Sequence, residues 1–95
     1  MDTEGQNYRR DPLFVPFRVL QNKNLRFSQR IILAWFMQYG PCKADYETLC
    51  LVCGARERSV KDNVRDLERR GYIGVTSDDG RGKVYDVTRK GWGVE

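Results

Sequence analysis

The chain has 95 residues, of which 40% are hydrophobic and 32% are charged, and 17 Lys and Arg against 13 Asp and Glu give a net charge of +4. This composition describes one small globular domain with an affinity for polyanions, and it excludes a disordered chain. The sequence has no His, which excludes Ser–His and Cys–His catalysis and histidine-bound metals.

The N-terminal segment, residues 1–12, is polar and is predicted to form a flexible arm. No apolar stretch follows its charges, so we expect no signal peptide. Residues 13–20 are apolar and contain Pro16, which favours an extended start and predicts either a short strand or a single helical turn. Residues 22–24, Asn-Lys-Asn, predict a turn.

The first predicted helix follows Ser28, which is typical of an N-cap, and ends at Gly40. Its apolar residues fall on more than one face, so we expect it to lie in the centre of the core, with Trp35 and Phe36 buried. Its apolar run covers residues 31–37. That is well short of the roughly 20 residues that span a bilayer, so we expect no membrane contact.

A second, short helix is predicted between Tyr46 and about Cys53. Asp45 is its predicted N-cap, and Gly54 ends it in a tight turn. The side chains expected to face the core from this helix are Leu49, Val52 and Cys53.

The cysteines are odd in number: Cys42, Cys50 and Cys53. Without an export signal they predict a reducing compartment and free thiols. Cys50 and Cys53 have C-x-x-C spacing, but a zinc site commonly takes four ligands, and neither a fourth Cys nor a His is present. We therefore expect packed core thiols with no metal and no cofactor. An iron–sulfur site completed by another ligand, or a redox sensor, is the alternative.

The third predicted helix begins near Arg56 or Glu57 and runs to Arg70, with Gly71 as its stop. An i, i+4, i+7 spacing predicts one buried stripe, formed by Val60, Val64 and Leu67. Between residues 56 and 70 there are six basic and four acidic side chains. A mixed face of this kind is also typical of a helix that is simply solvated.

The pattern then changes to that of strands. Residues 72–76 and 83–88 are β-prone and are joined by the turn residues 77–82, which predicts a β-hairpin. Tyr85 and Val87 are predicted to close the core beneath it. The sequence contains no Gly-rich phosphate loop and no nucleophile with a base partner, so we expect neither enzymatic activity nor a small-molecule ligand.

This order of elements resembles the winged helix-turn-helix superfamily. The motifs that carry the resemblance are Gly54, Ser59-Val60, Leu67-Glu68 and Gly71-Tyr72-Ile73, and the match covers roughly Phe14 to Trp92. The resemblance implies an α+β fold with a three-helix core and a C-terminal hairpin wing over residues 13–92. The flexible arm would precede it, and residues 93–95 would form a tail.

Within the superfamily, the front end of the chain is similar to the DNA-binding domain of phage and plasmid replication initiators. The segments that carry this similarity are Phe14-Val15-Pro16-Phe17, Leu20 and Leu25-Arg26-Phe27-Ser28. MarR-like transcriptional regulators share the rest of the pattern.

The resemblance implies that the third helix lies in the major groove of double-stranded DNA and that the wing lies on the backbone or in the minor groove. The helix contacts are then Arg56, Arg58, Ser59, Lys61, Asp62 and Arg65, with Asn63 as an alternative reader of adenine. Arg58 would read a base, while Lys61 and Arg65 would hold phosphates. The wing contacts are Arg81 and Lys83. Arg9 and Arg10 of the arm would add contacts, unless the arm is a solvated tail.

We therefore expect a sequence-recognising DNA-binding protein, either a transcriptional regulator or the origin-binding part of a replication initiator. It would act in the cytoplasm of a bacterial or phage-infected cell or on the nucleoid, as a monomer or as a homodimer on DNA. Two alternatives remain: a winged helix that binds another protein and no DNA, and a cysteine-based metal or redox sensor.

Overall fold

The computed structural model describes residues 12–93, which form an α+β domain. The α+β class is therefore confirmed. The described elements are α1 (Phe17–Leu20), α2 (Phe27–Tyr39), β1 (Cys42–Lys43), α3 (Tyr46–Cys53), α4 (Glu57–Arg69), β2 (Ile73–Asp78), β3 (Lys83–Val87) and α5 (Arg89–Trp92). The three strands form one antiparallel sheet in the order β1-β3-β2. Most of the predicted arm and tail lies outside the described residues.

The start of α2 differs from the prediction. The N-cap is Arg26 and not Ser28, which falls inside the first turn. The backbone N–H of Arg26 donates to Oε1 of Gln29 at 3.1 Å, and Gln29 is only 2% exposed. A glutamine at the third helical position thus supplies the cap from within the helix. The predicted end at Gly40 is confirmed.

Gln29 also joins the start of α2 to α4. Its Nε2 donates to Oδ2 of Asp66 at 2.7 Å, and the same carboxylate accepts hydrogen bonds from Arg69 and from Arg70. The hydrogen bond from Gln29, followed by those from the two arginines, lowers the pKa of Asp66. This cluster therefore fixes the N-terminus of α2 against the side of α4.

We expect Asp66→Ala to lower the free energy of unfolding by about 1–3 kcal/mol at neutral pH, because the buried amide of Gln29 loses its acceptor. The pKa of Asp66 is depressed by folding, so its contribution is present above the unfolded-state pKa and is lost as the pH falls through the folded value. The difference from the wild type should therefore shrink below about pH 4.

Urea unfolding at several pH values measures this difference. Asp62→Ala is the matched control, since the Asp62 side chain is 63% exposed and its removal should change the stability little. An Asp66→Ala variant as stable as the wild type at neutral pH would contradict the proposed anchoring of α2.

The core predicted for α2, α4 and the hairpin is confirmed. Val60, Val64 and Leu67 of α4 are fully buried, and they pack in one cluster with Ile32, Leu33, Trp35 and Phe36 of α2 and with Tyr72, Ile73, Tyr85 and Val87 of the hairpin region. The rings of Phe36 and Tyr85 lie 5.6 Å apart between centroids. The helix α2 thus occupies the centre of the domain, as its several apolar faces predicted.

The predicted bounds of α3 are confirmed, and one of its core residues is wrong. Asp45 caps the helix by accepting from the Thr48 N–H at 3.1 Å, and Gly54 ends it with φ +63°. Leu49 is buried, whereas Val52 is 40% exposed and Cys53 is half-buried. Val52 shares the side of Leu49 but lies a turn nearer the helix end, where its neighbours no longer cover it.

The predicted hairpin is confirmed as β2 and β3, with a bulge between Val75 and Ser77. Two short elements were not predicted. β1 pairs with β3 through Cys42 opposite Tyr85, and α5 begins after Thr88, whose side chain accepts from the Gly91 N–H. The segment before α2 forms the single helical turn α1, so the helical alternative for residues 13–20 is the correct one.

Candidate nucleic-acid interface

The exposed side of α4 is the candidate interface. Its apolar stripe is fully buried, so the opposite side of the helix faces away from the core. The side chains on that side line one shallow depression: Glu57, Arg58, Lys61, Asp62 and Arg65. Four of the six helix residues predicted as contacts thus share one face.

The charges on this face are only partly paired. Nζ of Lys61 lies 2.9 Å from a carboxylate oxygen of Glu57, and Nη1 of Arg65 lies 3.4 Å from Oδ1 of Asp62. Both pairs are exposed, and such pairs contribute at most about 1 kcal/mol, so phosphate groups can replace the acidic partners. Arg58 is exposed and has no ion-pair partner within residues 12–93.

The remaining two predicted helix residues, Arg56 and Ser59, are exposed near the start of α4. They line a groove whose facing wall is Arg26, at the start of α2. Asn63 lines the same groove but is only 6% exposed. It therefore lies beside the exposed face and not on it, which disfavours the reading of adenine in the major groove.

The turn of the hairpin presents a second basic region. Arg81 is exposed, and its backbone N–H donates to Oδ1 of Asp79 at 2.9 Å, which lowers the pKa of that carboxyl. Nζ of Lys83 lies 3.9 Å from Oε1 of Glu68 on α4. This contact between β3 and α4 places the hairpin beside the helix face.

Tyr46 connects the two basic regions. Its ring lies 5.3 Å from Nζ of Lys61, and Tyr46 also lines the groove that contains Arg81 and Lys83. Burial raises the pKa of the Tyr46 phenol, so it is neutral at physiological pH. The face of α4 and the hairpin therefore form one continuous surface.

Two basic residues at this surface were not predicted. Lys43 of β1 lines the groove with Arg81 and Lys83, and its Nζ lies 3.8 Å from Asp79. Arg26 lies on the other side, at the start of α2. Neither residue has a local sequence signal, because its position depends on how β1 and α2 pack against the rest of the domain. Arg9 and Arg10 lie outside the described residues.

The three cysteines are free and half-buried. Burial, with the nearby carboxylates of Asp86 and Asp45, raises the pKa of Cys42 to about 11, and burial with Cys50 raises the pKa of Cys53 to about 11. Within the part of the chain that the structure describes, no three His, Cys, Asp or Glu residues are grouped as metal ligands would be. These environments are those of packed thiols.

We expect Cys42 and Cys53 to react with iodoacetamide at pH 8 about 100-fold more slowly in the folded protein than in urea, because a rise of about two pKa units leaves that much less thiolate. Peptide mass spectrometry after timed alkylation measures each rate, and the unfolded chain is the control. Equal rates in both states, or stoichiometric zinc or iron in the purified protein, would contradict a purely structural role.

The sequence matches no family model, and it matches none of the curated proteins or solved structures compared with it. Any assignment of function therefore depends on the geometry and charge of the surface formed by α4 and the hairpin. No helix between residues 12 and 93 has both the length and the hydrophobicity needed to cross a membrane.

Proposed function

We propose that this chain is a winged helix-turn-helix domain that recognises double-stranded DNA. In this proposal α4 enters the major groove, and the β2–β3 hairpin is the wing, which lies on the backbone or in the minor groove. The order helix, short helix, tight turn, charged helix and hairpin supports the proposal, because each of these elements is present and their predicted core residues are buried except in the short helix α3, where Leu49 alone is buried. A transcriptional regulator and an origin-binding initiator domain both fit this activity.

The observation that carries the proposal is the asymmetry of α4. One side is an apolar stripe without any exposed surface, and the other carries Arg58, Lys61 and Arg65. The N-cap residue Arg56 makes no side-chain capping bond, so the positive end of the helix dipole and its free N–H groups remain available to an anion. An α-helix of this width fits the major groove of B-DNA.

The second candidate function is binding of another protein. It is favoured by Leu51 and Val52 of α3, which are 71% and 40% exposed. An apolar contact of this kind would respond weakly to salt, whereas contacts to phosphates release counterions and respond strongly. Salt dependence therefore separates the two functions.

Selection of bound sequences from a pool of random duplexes tests the proposal. We expect a preferred site to emerge, with an affinity whose logarithm falls with log salt at a slope of about −2 to −5, because about 0.9 is lost per phosphate contacted. A palindromic site would indicate a homodimer on DNA. Failure to enrich any sequence, or an affinity that does not change with salt, would contradict DNA recognition.

A further inference from the structure

The groove between the starts of α2 and α4 is strongly basic. It encloses about 410 Å³, and the guanidinium-bearing residues that line it are Arg26, Arg56 and Arg58. None of the three forms an ion pair within residues 12–93. Its only acidic residue, Asp62, is engaged by Arg65 on the exposed face of α4. The groove therefore attracts an anion.

Asn63 supplies an independent indication that something binds there. Its side chain is only 6% exposed, lines the groove, and makes no hydrogen bond to any residue between 12 and 93. Because the amide opens onto the groove, its hydrogen-bonding partner is water or a ligand held there. A ligand in the groove that accepts hydrogen bonds from its Nδ2 would satisfy it.

The remaining polar groups around the groove are mostly donors. The first N–H groups of α4 have no side-chain cap from Arg56, and the Ser59 hydroxyl lines the same space. Arginine side chains donate in a fork that matches the oxygens of a phosphate. A group with several acceptor oxygens and a negative charge, such as a phosphodiester, fits this set of donors.

The groove lies on the opposite flank of α4 from the hairpin. The hairpin flank carries Lys61, near Tyr46, and Glu68, near Lys83. The other flank carries Asn63 and Asp66, the residues that face Arg26 and Gln29 of α2. A helix in the major groove, about 12 Å wide, has one phosphate backbone on each side.

We propose that this groove holds a backbone phosphate of the DNA strand on the α2 side, with Arg26 as its main contact and Asn63 completing the site. The inference rests on the proposed function. It adds that α4 is held between the two DNA strands, because Arg26 binds the phosphate backbone of one strand while the hairpin residues bind that of the other. Arg26 is then a positioning contact that fixes how deeply α4 enters the major groove of the DNA.

Arg26→Ala tests this site. The backbone N–H that caps α2 is retained in the variant, so we expect an unchanged melting temperature. We expect about a tenfold loss of affinity for the selected duplex and for a scrambled one alike, with the salt slope reduced by about 0.9. Arg26→Lys keeps the charge, so its salt slope should stay near that of the wild type. Lys23→Ala, an exposed cation in the preceding turn, is the matched control and should bind as the wild type does.

Nuclear magnetic resonance of the Asn63 side-chain amide reports the site directly. We expect its resonances to shift when the duplex is added to the wild type and not when the same concentration of inorganic phosphate is added. A full shift with inorganic phosphate alone would assign the groove to a free anion and overturn the proposal. An Arg26→Ala variant that binds duplex like the Lys23→Ala control would overturn it too, while DNA binding itself would stand. A wild type that binds no duplex would overturn both.

Discussion

Val64→Asp is expected to lower the free energy of unfolding by about 3–5 kcal/mol and the melting temperature by more than about 10 °C. Val64 has no exposed surface and lies in the middle of the stripe that joins α4 to α2 and the sheet. A carboxylate there must be buried without a partner or remain protonated, and an uncompensated buried charge typically costs about 3–5 kcal/mol. The whole stability of a small domain is about 5–15 kcal/mol, so a loss of this size removes a large share of it.

Circular dichroism during thermal and urea unfolding measures this effect. Ser59→Asp is the matched control, because it adds the same charge to an exposed position of the same helix. We expect it to change the stability by no more than about 0.5 kcal/mol. A Val64→Asp variant that melts at the wild-type temperature would show that the stripe of α4 does not face the core.

The elements that could be predicted from the sequence are those whose signals are local. The spacing of Val60, Val64 and Leu67 defines the buried side of α4 without knowledge of its partners, because helical periodicity alone places them together. Gly54 and Gly71 mark the ends of α3 and α4 because both adopt the left-handed conformation there, which few other residues tolerate.

The errors fall where tertiary contacts decide the local structure. Ser28 is a common N-cap residue, but the buried side chain of Gln29 caps Arg26 and at the same time binds Asp66, which lies 37 residues further along the chain. β1 has only two residues, so it shows no alternation, and it exists because Cys42 pairs with Tyr85. No sequence pattern within either segment could indicate these partners.

The residues of the candidate interface also fall into those with a local sequence signal and those placed by tertiary packing. Arg58, Lys61 and Arg65 could be placed on one face from their spacing, because residues three or four apart on a helix are neighbours. Arg26 and Lys43 reach the same surface only through the packing of α2 and β1. Sequence reasoning therefore proposed the side chains of α4 and of the hairpin turn, Arg81 and Lys83, and missed Arg26 and Lys43.

Arg58→Ala is expected to lower the affinity for the selected duplex by about 1–3 kcal/mol and to change the affinity for a scrambled duplex little, so that specificity is lost. Arg58 stands in the first turn of α4 without an ion-pair partner among the described residues. Its forked donors are therefore available to the two acceptors of a guanine edge.

Arg81→Ala and Lys83→Ala are the contrasting variants. Arg81 lies between Gly80 and Gly82 in the exposed turn, and a side chain on such a turn is suited to a phosphate contact. We expect each variant to weaken binding to both duplexes about equally and to lower the salt slope by about one. Lys61→Ala and Arg65→Ala should behave in the same way, because these side chains can exchange Glu57 and Asp62 for phosphates.

Binding isotherms for all five variants on the selected and the scrambled duplex, at two salt concentrations, separate these roles. Base reading changes the ratio of the two affinities and leaves the salt slope nearly constant, whereas a lost phosphate contact changes the slope and leaves the ratio constant. Equal losses on both duplexes for Arg58→Ala would therefore remove it as a base reader. If none of the five variants loses affinity, DNA does not bind through the exposed face of α4 and the hairpin turn.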